Sequence, residues 1–325
     1  MNYGLSIPIP GTSLREQSRY LDAAAAAGFT DLWSSESNGA DAFTPLAAAA
    51  VSHPLFRLGT AIVPAFTRAP GVLTMSAAAL ADLAQSQVLL GIGASSDVIV
   101  NKWNGVPFED PYGRTRDVVT FVKRALTGER VDLQTPSFQI DGFRLERVPE
   151  RPPAVLVAAL RPGMLRLAGR HADGAILNWL SASDVTKVVP YVHEGRSEPP
   201  EIVARLFVIP STDTLLVRAH AKRQIAAYLN VNVYAKYHAW LGRSSQLEPM
   251  WSAWAAGDRK AALKAIPDSL VDELFVHGDS ETCRARIDEY VANGITTPML
   301  AITDLDSDPY DSITRLGPSP TASAK

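Results

Sequence analysis

The chain has 325 residues and a formal net charge of −3, and 46% of its residues are hydrophobic. This composition predicts a buried globular core, and the small negative charge excludes the basic footprint of a nucleic-acid-binding protein. No apolar run is long enough to span a bilayer, and residues 1–11 lack the basic start of a signal peptide. The single cysteine, Cys283, excludes an internal disulfide, so we expect a cytoplasmic protein.

Short apolar runs alternate with longer amphipathic segments over residues 1–126. The predicted strands are Tyr3–Ile9, Phe29–Ser34, Phe56–Val63 and Val88–Ile92. The predicted helices are Leu14–Ala27, Phe43–Val51, Pro70–Ala84 and Tyr112–Leu126. Consecutive strand–helix units with short links predict parallel strands joined by right-handed crossovers.

The alternation then breaks at Val131–Leu145, where turn residues separate two short runs and predict a β-hairpin outside the main sheet. Further strands are predicted at Ala154–Ala158, Ala175–Asn178, Ile202–Ile209 and Thr297–Ile302. Helices are predicted at Pro162–His171 and Thr282–Asn293, and an inserted helical subdomain at Ala219–Leu270. Eight strands in series favour one (β/α)8 TIM barrel over 1–316, with a doubly wound sheet as the alternative and a disordered tail over 317–325.

In such a barrel the active site forms at the C-terminal ends of the strands. Glu36 and Asn38 follow the second strand, where a carboxylate can act as a general acid or base, so they are the catalytic candidates. Asp41 is a candidate substrate contact, although it could equally cap the next helix. After the third strand we assign Phe66 to the substrate and Arg68 to a bound cofactor, with a solvated loop arginine as the alternative.

Two further segments predict contacts to a planar ligand that carries a phosphate. Gly91 and Gly93 provide a flat floor beside a ring, or only a tight strand exit, and the third glycine of a dinucleotide fingerprint is missing. The fifth strand runs into a helix opened by Pro162, whose free amides and dipole suit a phosphate. The candidate ligand contacts are Ala158, Ala159, Arg161, Pro162, Gly163, Met164, Asn178 and Trp179. Alternatively, Pro162 and Ser181 only start helices.

Other site chemistries find no support in the sequence. The six histidines show no paired spacing of metal ligands, so we predict no metal site. No Gly-x-Ser-x-Gly segment is present, which disfavours a serine hydrolase.

Several motifs together resemble the luciferase-like oxidoreductases, and the resemblance covers nearly the whole chain. The motifs lie at 59–64, 66–70, 90–93, 158–165 and 172–178. The Phe-Thr-Arg-Ala-Pro form at 66–70 is most similar to the branch that uses coenzyme F420, an 8-hydroxy-5-deazaflavin. The resemblance implies a hydride carrier with its ring in the barrel mouth and its phosphate on the loops after strands five and six.

The resemblance also implies a non-prolyl cis peptide between Ala61 and Ile62, in a bulge with Val63 that backs the ring. Relatives often have an Asp-His pair where this chain has Glu36-Ser37, which leaves Glu36 as the leading proton donor. We therefore expect an F420-dependent oxidoreductase that acts on a small organic substrate as a homodimer. The alternatives are an FMN-dependent monooxygenase of the same fold and a flavin-binding or structural relative that has lost activity.

Overall fold

The structure is a computed structural model that describes residues 1–194, 196–305 and 307–318. Its strands are β1 (Gly4–Ser6), β2 (Asp31–Ser34), β3 (Arg57–Thr60), β4 (Val63–Pro64), β5 (Val88–Gly93), β6 (Val131–Gln134), β7 (Gln139–Phe143), β8 (Ala154–Ala158), β9 (Gly174–Asn178), β10 (Glu201–Ile209), β11 (Phe275–His277) and β12 (Thr297–Ile302).

The first helices follow individual strands: α1 (Gln17–Ala26), α2 (Phe43–Ser52), α3 (Pro70–Leu83), α4 (Pro111–Leu126), α5 (Pro162–His171) and α6 (Ala182–His193). The helices between β10 and β11 are α7 (Thr214–Leu229), α8 (Asn232–Leu241), α9 (Ser244–Ala255), α10 (Arg259–Ala265) and α11 (Asp268–Leu274). The last two are α12 (Ser280–Ala292) and α13 (Pro309–Leu316). A 3-10 turn at Leu14–Glu16 precedes α1, and a π-helical turn at Val98–Trp103 follows β5.

Eight parallel strands close into a barrel. Their order is β1, β2, β3, β5, β8, β9, β10 and β12, and β12 pairs again with β1. This closure confirms the predicted (β/α)8 barrel and excludes the open doubly wound sheet. The antiparallel pair β6–β7 confirms the hairpin after the fourth barrel strand, and α7 to α11 form the helical insertion after the seventh.

Several boundaries differ from the prediction. The first strand ends at Ser6, three residues before the predicted Ile9, because Pro8 has no amide proton for sheet pairing. The predicted strand Phe56–Val63 is interrupted after Thr60 and resumes as β4 beside β5. The inserted helices start at Thr214 and end at Leu274, beyond both predicted limits.

The sequence reading missed two elements and gave no bounds for a third. A helix start at Ser181 was one of the alternatives, but the valine-rich segment of α6 contains Pro190, and both features weaken a helical signal. The helix α13 has only 8 residues, and β11 has only 3 residues that extend the sheet beside the end of β10.

The predicted disordered tail begins at Gly317. That glycine packs against Ala27, and Pro318 lies near Gly28, at the end of α1. Residues 319–325 lie outside the described residues.

Inward-facing side chains fill the barrel in layers, because residues alternate between the two faces of each strand. At the N-terminal end, Arg57 pairs with Asp31 at 2.5 Å and with Glu201 at 2.8 Å. The middle layer is apolar and consists of Trp33, Leu89, Leu156, Ile176, Val203 and Met299. The inward positions that follow the middle layer toward the C-terminal end, here called the mouth layer, are Ala61, Gly93, Ala158, Asn178 and Arg205.

No helix in the described ranges combines the length and the apolarity needed to cross a bilayer.

Candidate functional site

One side of the mouth layer is a floor of backbone and small residues. A Cβ added to Gly93 would lie 2.9 Å from the Cβ of Ala158 and 3.1 Å from the Ile62 side chain. A Cβ added to Gly91 would lie 2.0 Å from the carbonyl oxygen of Thr60. Neither position accommodates a side chain, because neighbouring atoms already fill that space. For Gly91 this close packing fits the alternative of a tight strand exit. Gly93 and Ala158 lie on the side of the mouth where the sequence predicts a ring floor.

A bulge between β3 and β4 borders this floor. The peptide between Ala61 and Ile62 is cis, which confirms the geometry implied by the resemblance. The amide of Ala61 donates to the Ser34 carbonyl at 2.7 Å, and the amide of Glu36 donates to the Ile62 carbonyl at 3.1 Å. Val63 then pairs with β5. The end of β2 therefore fastens the bulge and brings Glu36 next to it.

Glu36 and Arg68 form an ion pair beside the bulge. The Arg68 Nη2 donates to Glu36 Oε2 at 2.8 Å, and its Nε lies 3.0 Å from the same oxygen. Asp41 lies 3.4 Å from Arg68 Nη2, and the guanidinium lies 5.0 Å from the Phe43 ring centroid. The structure thus brings together three predicted site residues. Glu36 accepts hydrogen bonds from Arg68. Arg68 is therefore not a solvated loop arginine, which was the alternative interpretation.

Asp41 caps α2, as the alternative reading proposed. Its Oδ1 accepts from the amides of Phe43 at 2.9 Å and of Thr44 at 3.1 Å. Burial raises the pKa of the Asp41 carboxyl, but the hydrogen bonds from Thr44 and Phe43 outweigh this effect and hold the pKa below its usual value. Asp41 is therefore a fixed negative group at the edge of the site.

Asn38 and Phe66 stand apart from this cluster. The Asn38 side chain is exposed in the loop after β2. Phe66 is buried, with its ring 5.0 Å from Phe108 and 5.7 Å from the guanidinium of Arg114 on α4. Its contacts therefore belong to the packing between the loop and α4, and they give no support for a substrate contact.

The start of α5 matches the predicted anion site. Pro162 occupies the first turn, Arg161 precedes it, and no side chain caps the helix. Gly163 is exposed, and a Cβ there would meet nothing within 4 Å. The amide of Ala159 is already used, because it donates to the Ile176 carbonyl at 3.0 Å. The open amides are therefore those of the first helical turn, which include Gly163 and Met164.

The loop after β9 does not match the predicted second half of the cradle. The Trp179 amide donates to Asn178 Oδ1 at 3.0 Å, and the Trp179 ring packs 4.3 Å from Phe207. The following helix is closed by its own side chains, because Ser181 and Asp184 form a capping box. A carboxylate at this helix start repels a phosphate, so the alternative that Ser181 only starts a helix fits here.

The sequence reading missed Arg205 and Tyr234. Arg205 lies in the mouth layer opposite Asn178, and Tyr234 of α8 lies near both side chains. Burial raises the pKa of Tyr234 to about 12. A charged residue at an inward position of the apolar run Ile202–Ile209 is the signal that could have identified Arg205. Tyr234 gave no such signal, because the insertion was read as packing.

Within the described part of the chain, no group of three or more His, Cys, Asp and Glu side chains is placed to hold a metal ion.

Comparison with known proteins gives consistent matches over almost the full length. A family model described as luciferase-like monooxygenase matches residues 1–297. A protein of Mycobacterium tuberculosis, provisionally named a coenzyme F420-dependent oxidoreductase, is 26% identical over 331 residues, which cover 93% of this chain and 95% of that protein.

Two solved structures share the fold. The coenzyme F420-dependent tetrahydromethanopterin reductase from Methanopyrus kandleri matches with a TM-score of 0.79 and 21% identity over 97% of both chains. An F420-dependent secondary alcohol dehydrogenase, solved with an F420-acetone adduct, matches with a TM-score of 0.77 and 17% identity over 97% of both chains.

Proposed function

Because the chain belongs to the family of luciferase-like monooxygenases, as its motifs indicate, we propose that this enzyme is an F420-dependent oxidoreductase. It transfers a hydride between the deazaflavin and a small organic substrate. The observation that carries the proposal is the side of the mouth formed by Gly93, Ala158 and the bulge at Ala61 and Ile62, where any larger residue at position 93 would collide with its neighbours. The similar proteins named as F420-dependent add support, since they match this chain nearly end to end.

The residues of the mouth fit such a cofactor. The ring would lie on Ala61, Ile62 and Val63 beside Gly93 and Ala158. The phosphate would lie at the first turn of α5, where the amides of Gly163 and Met164 point outward next to Arg161. Because Asp184 closes the start of α6, the binding site for the phosphate is proposed at α5 alone.

When bound, the deazaflavin gives or accepts a hydride at its carbon 5. The protein positions this group and manages the accompanying proton. Glu36 is the proposed proton carrier, with Arg68 holding its carboxylate at 2.8 Å at the edge of the bulge. Asn38 is the second proposed carrier, and its exposed side chain reaches the mouth only if the loop after β2 moves. Asp41, at the edge of the site, and Phe66, which packs against Phe108 and Arg114, remain proposed substrate neighbours.

We also propose a cytoplasmic homodimer. Burial raises the pKa of the Cys283 thiol to about 12, which leaves it unreactive and suits a reducing compartment. Val51 and Leu55 are exposed at the end of α2 and form a small apolar surface. Light scattering of the purified protein measures the oligomeric state.

Cofactor binding tests the proposed function directly. Purified full-length protein is titrated with oxidised F420 and, separately, with FMN, and fluorescence quenching is measured. We expect F420 to bind at least about tenfold more tightly, which corresponds to about 1.4 kcal/mol. Reduced F420 bound to the protein should then be oxidised by a member of a panel of carbonyl and enone compounds.

Three results would contradict this expectation. Tighter binding of FMN, with oxygen consumption, indicates the flavin-dependent monooxygenase. Binding of either cofactor without any turnover indicates a relative that has lost activity. Absence of binding to both removes the proposed ring site.

A further inference from the structure

Arg205 is placed inside the barrel by its position on β10. It lies two residues after the inward-facing Val203, and it is opposite Asn178 on β9 and Met299 on β12. Residues two apart on a strand share a face, so the Arg205 side chain extends into the mouth above the apolar middle layer.

The charge of Arg205 is not paired with a carboxylate in the described ranges. Its Nε is shielded from solvent and has no hydrogen-bond partner there. Two other arginines described above are paired with carboxylates. Arg57 pairs with Asp31 and Glu201. Arg68 pairs with Glu36 and Asp41. Arg205 is therefore a cation without the compensation that the fold provides elsewhere.

The surroundings of Arg205 are neutral. Its guanidinium lies 5.2 Å from the Phe207 ring centroid, and the neighbouring titratable groups are Tyr228 and Tyr234. Burial lowers the pKa of the Arg205 guanidinium, which nevertheless keeps its charge at neutral pH. Arg205 is half-buried, so water still reaches part of its side chain. The mouth therefore holds a positive charge that no carboxylate of the described residues pairs with.

Two neighbours of Arg205 are linked to each other. The Asn178 Oδ1 accepts from the Trp179 amide at 3.0 Å, and a hydrogen bond joins the side chains of Asn178 and Tyr234. Burial raises the pKa of Tyr234 to about 12 and so keeps its hydroxyl protonated. The Arg205 guanidinium and the proton of this hydroxyl are both donors that an oxyanion accepts.

We propose that Arg205 binds an anionic group of the substrate, so that the substrate is a small molecule with a carboxylate or phosphate group. The inference rests on the proposed function, because it places the substrate in the same mouth as the ring. The anion would neutralise Arg205 and hold the rest of the substrate against the floor at Gly93 and Ala158.

Matched anionic and neutral probes test the inference. Full-length protein, with and without bound F420, is titrated with benzoate, phenyl phosphate and benzamide in a calorimeter. We expect at least one anion to bind about tenfold more tightly than benzamide, a ratio typical of one charge-assisted contact.

Arg205→Gln should remove this preference for the anion, while its affinities for benzamide and for F420 stay within about twofold of those of the wild type. Arg205→Lys should keep part of it. Arg223→Gln, the same charge change on the exposed surface of α7, should change none of these affinities.

Thermal unfolding separates binding from a merely structural role. The melting temperature of the wild type should rise with the anion, since a ligand of the folded state stabilises it. Arg205→Met should melt at the same or a higher temperature than the free wild type and show no rise with the anion. A lower melting temperature together with unchanged anion binding would show that Arg205 only packs against Phe207.

The outcomes distinguish this inference from the proposed function. Equal binding of benzoate, phenyl phosphate and benzamide to the wild type overturns the anion site. If Arg205→Gln loses as much affinity for F420 as for the anion, Arg205 belongs to the cofactor site, and the substrate-anion site is also overturned. Anion preference in a protein that binds no F420 keeps the Arg205 site and overturns the proposed cofactor.

Discussion

Glu36 illustrates how a residue can be predicted while its partner is not. Its position after the second strand marked it as a site residue, and the structure places it beside the bulge at Ala61 and Ile62. The ion pair with Arg68 was not predictable, because 32 residues separate the two side chains in sequence. The pairing of β2 with β3 sets their approach, and no local pattern reports it.

Glu36→Gln tests the proposed proton carrier. The amide keeps the shape of the side chain but removes its charge, so we expect turnover of bound cofactor to fall at least tenfold, about 1.4 kcal/mol in activation free energy. The dissociation constant for F420 should stay within about threefold, because a group that acts in the chemical step does not contribute uniform binding. Glu129→Gln, which breaks the exposed pair with Arg124, is the control. Wild-type turnover in Glu36→Gln would leave Glu36 only as a neighbour that holds Arg68.

At the scale of elements, the helix α5 carries the proposed phosphate site. Gly163→Asp places a carboxylate in the first turn, where it interacts favourably with the helix dipole by about 0.3–1 kcal/mol. The same charge repels a bound phosphate, so we expect F420 affinity to fall about tenfold while the melting temperature stays the same or rises.

Gly163→Ala is the control for this change, since an added Cβ meets nothing within 4 Å, and it should bind F420 normally. A deazaflavin that lacks the phosphate should bind Gly163→Asp and the wild type equally. Unchanged F420 affinity in Gly163→Asp would show that the phosphate does not bind at the start of α5.

The elements also show what sequence patterns report. The strands β8 and β12 and the helix α5 have the predicted limits. Pro153 directly precedes β8, and Pro162 opens α5. The two halves of the phosphate cradle looked alike in sequence, yet α5 is open and α6 is capped by Ser181 and Asp184. The difference lies in the capping-box pattern of Ser181 and Asp184, which the sequence contains and which the sequence reading did not use. Arg205 is a similar case, since its unusual place in an apolar strand was readable.

At the scale of the whole molecule, the two ends of the barrel separate stability from chemistry. The mouth has the open floor, whereas the N-terminal end is filled by Arg57 with Asp31 and Glu201. Thr297 Oγ1 also donates to Glu201 at 2.6 Å. Barrel enzymes place catalysis at the C-terminal face and stabilising contacts at the other face. Substitutions at the ion pairs of Arg57 with Asp31 and Glu201 should therefore lower the free energy of unfolding and leave the affinity for F420 unchanged.

Glu201→Gln tests this separation through its dependence on pH. Burial raises the pKa of Glu201, but the hydrogen bonds from Arg57 and Thr297 outweigh it and lower the pKa below its usual value. A lowered pKa contributes stability above the unfolded value of about 4.3, and this contribution is lost as the pH falls through the folded value.

At pH 7 we therefore expect Glu201→Gln to lose about 1–3 kcal/mol in the free energy of unfolding, measured with urea. The gap to the wild type should narrow below the unfolded value, where the unfolded chain takes up a proton on Glu201, and close as the pH falls through the folded value. Glu146→Gln, on the surface, should match the wild type throughout, and F420 affinity should be equal in all three proteins. A gap that stays constant with pH would show that the loss comes from packing of the side chain and not from its charge.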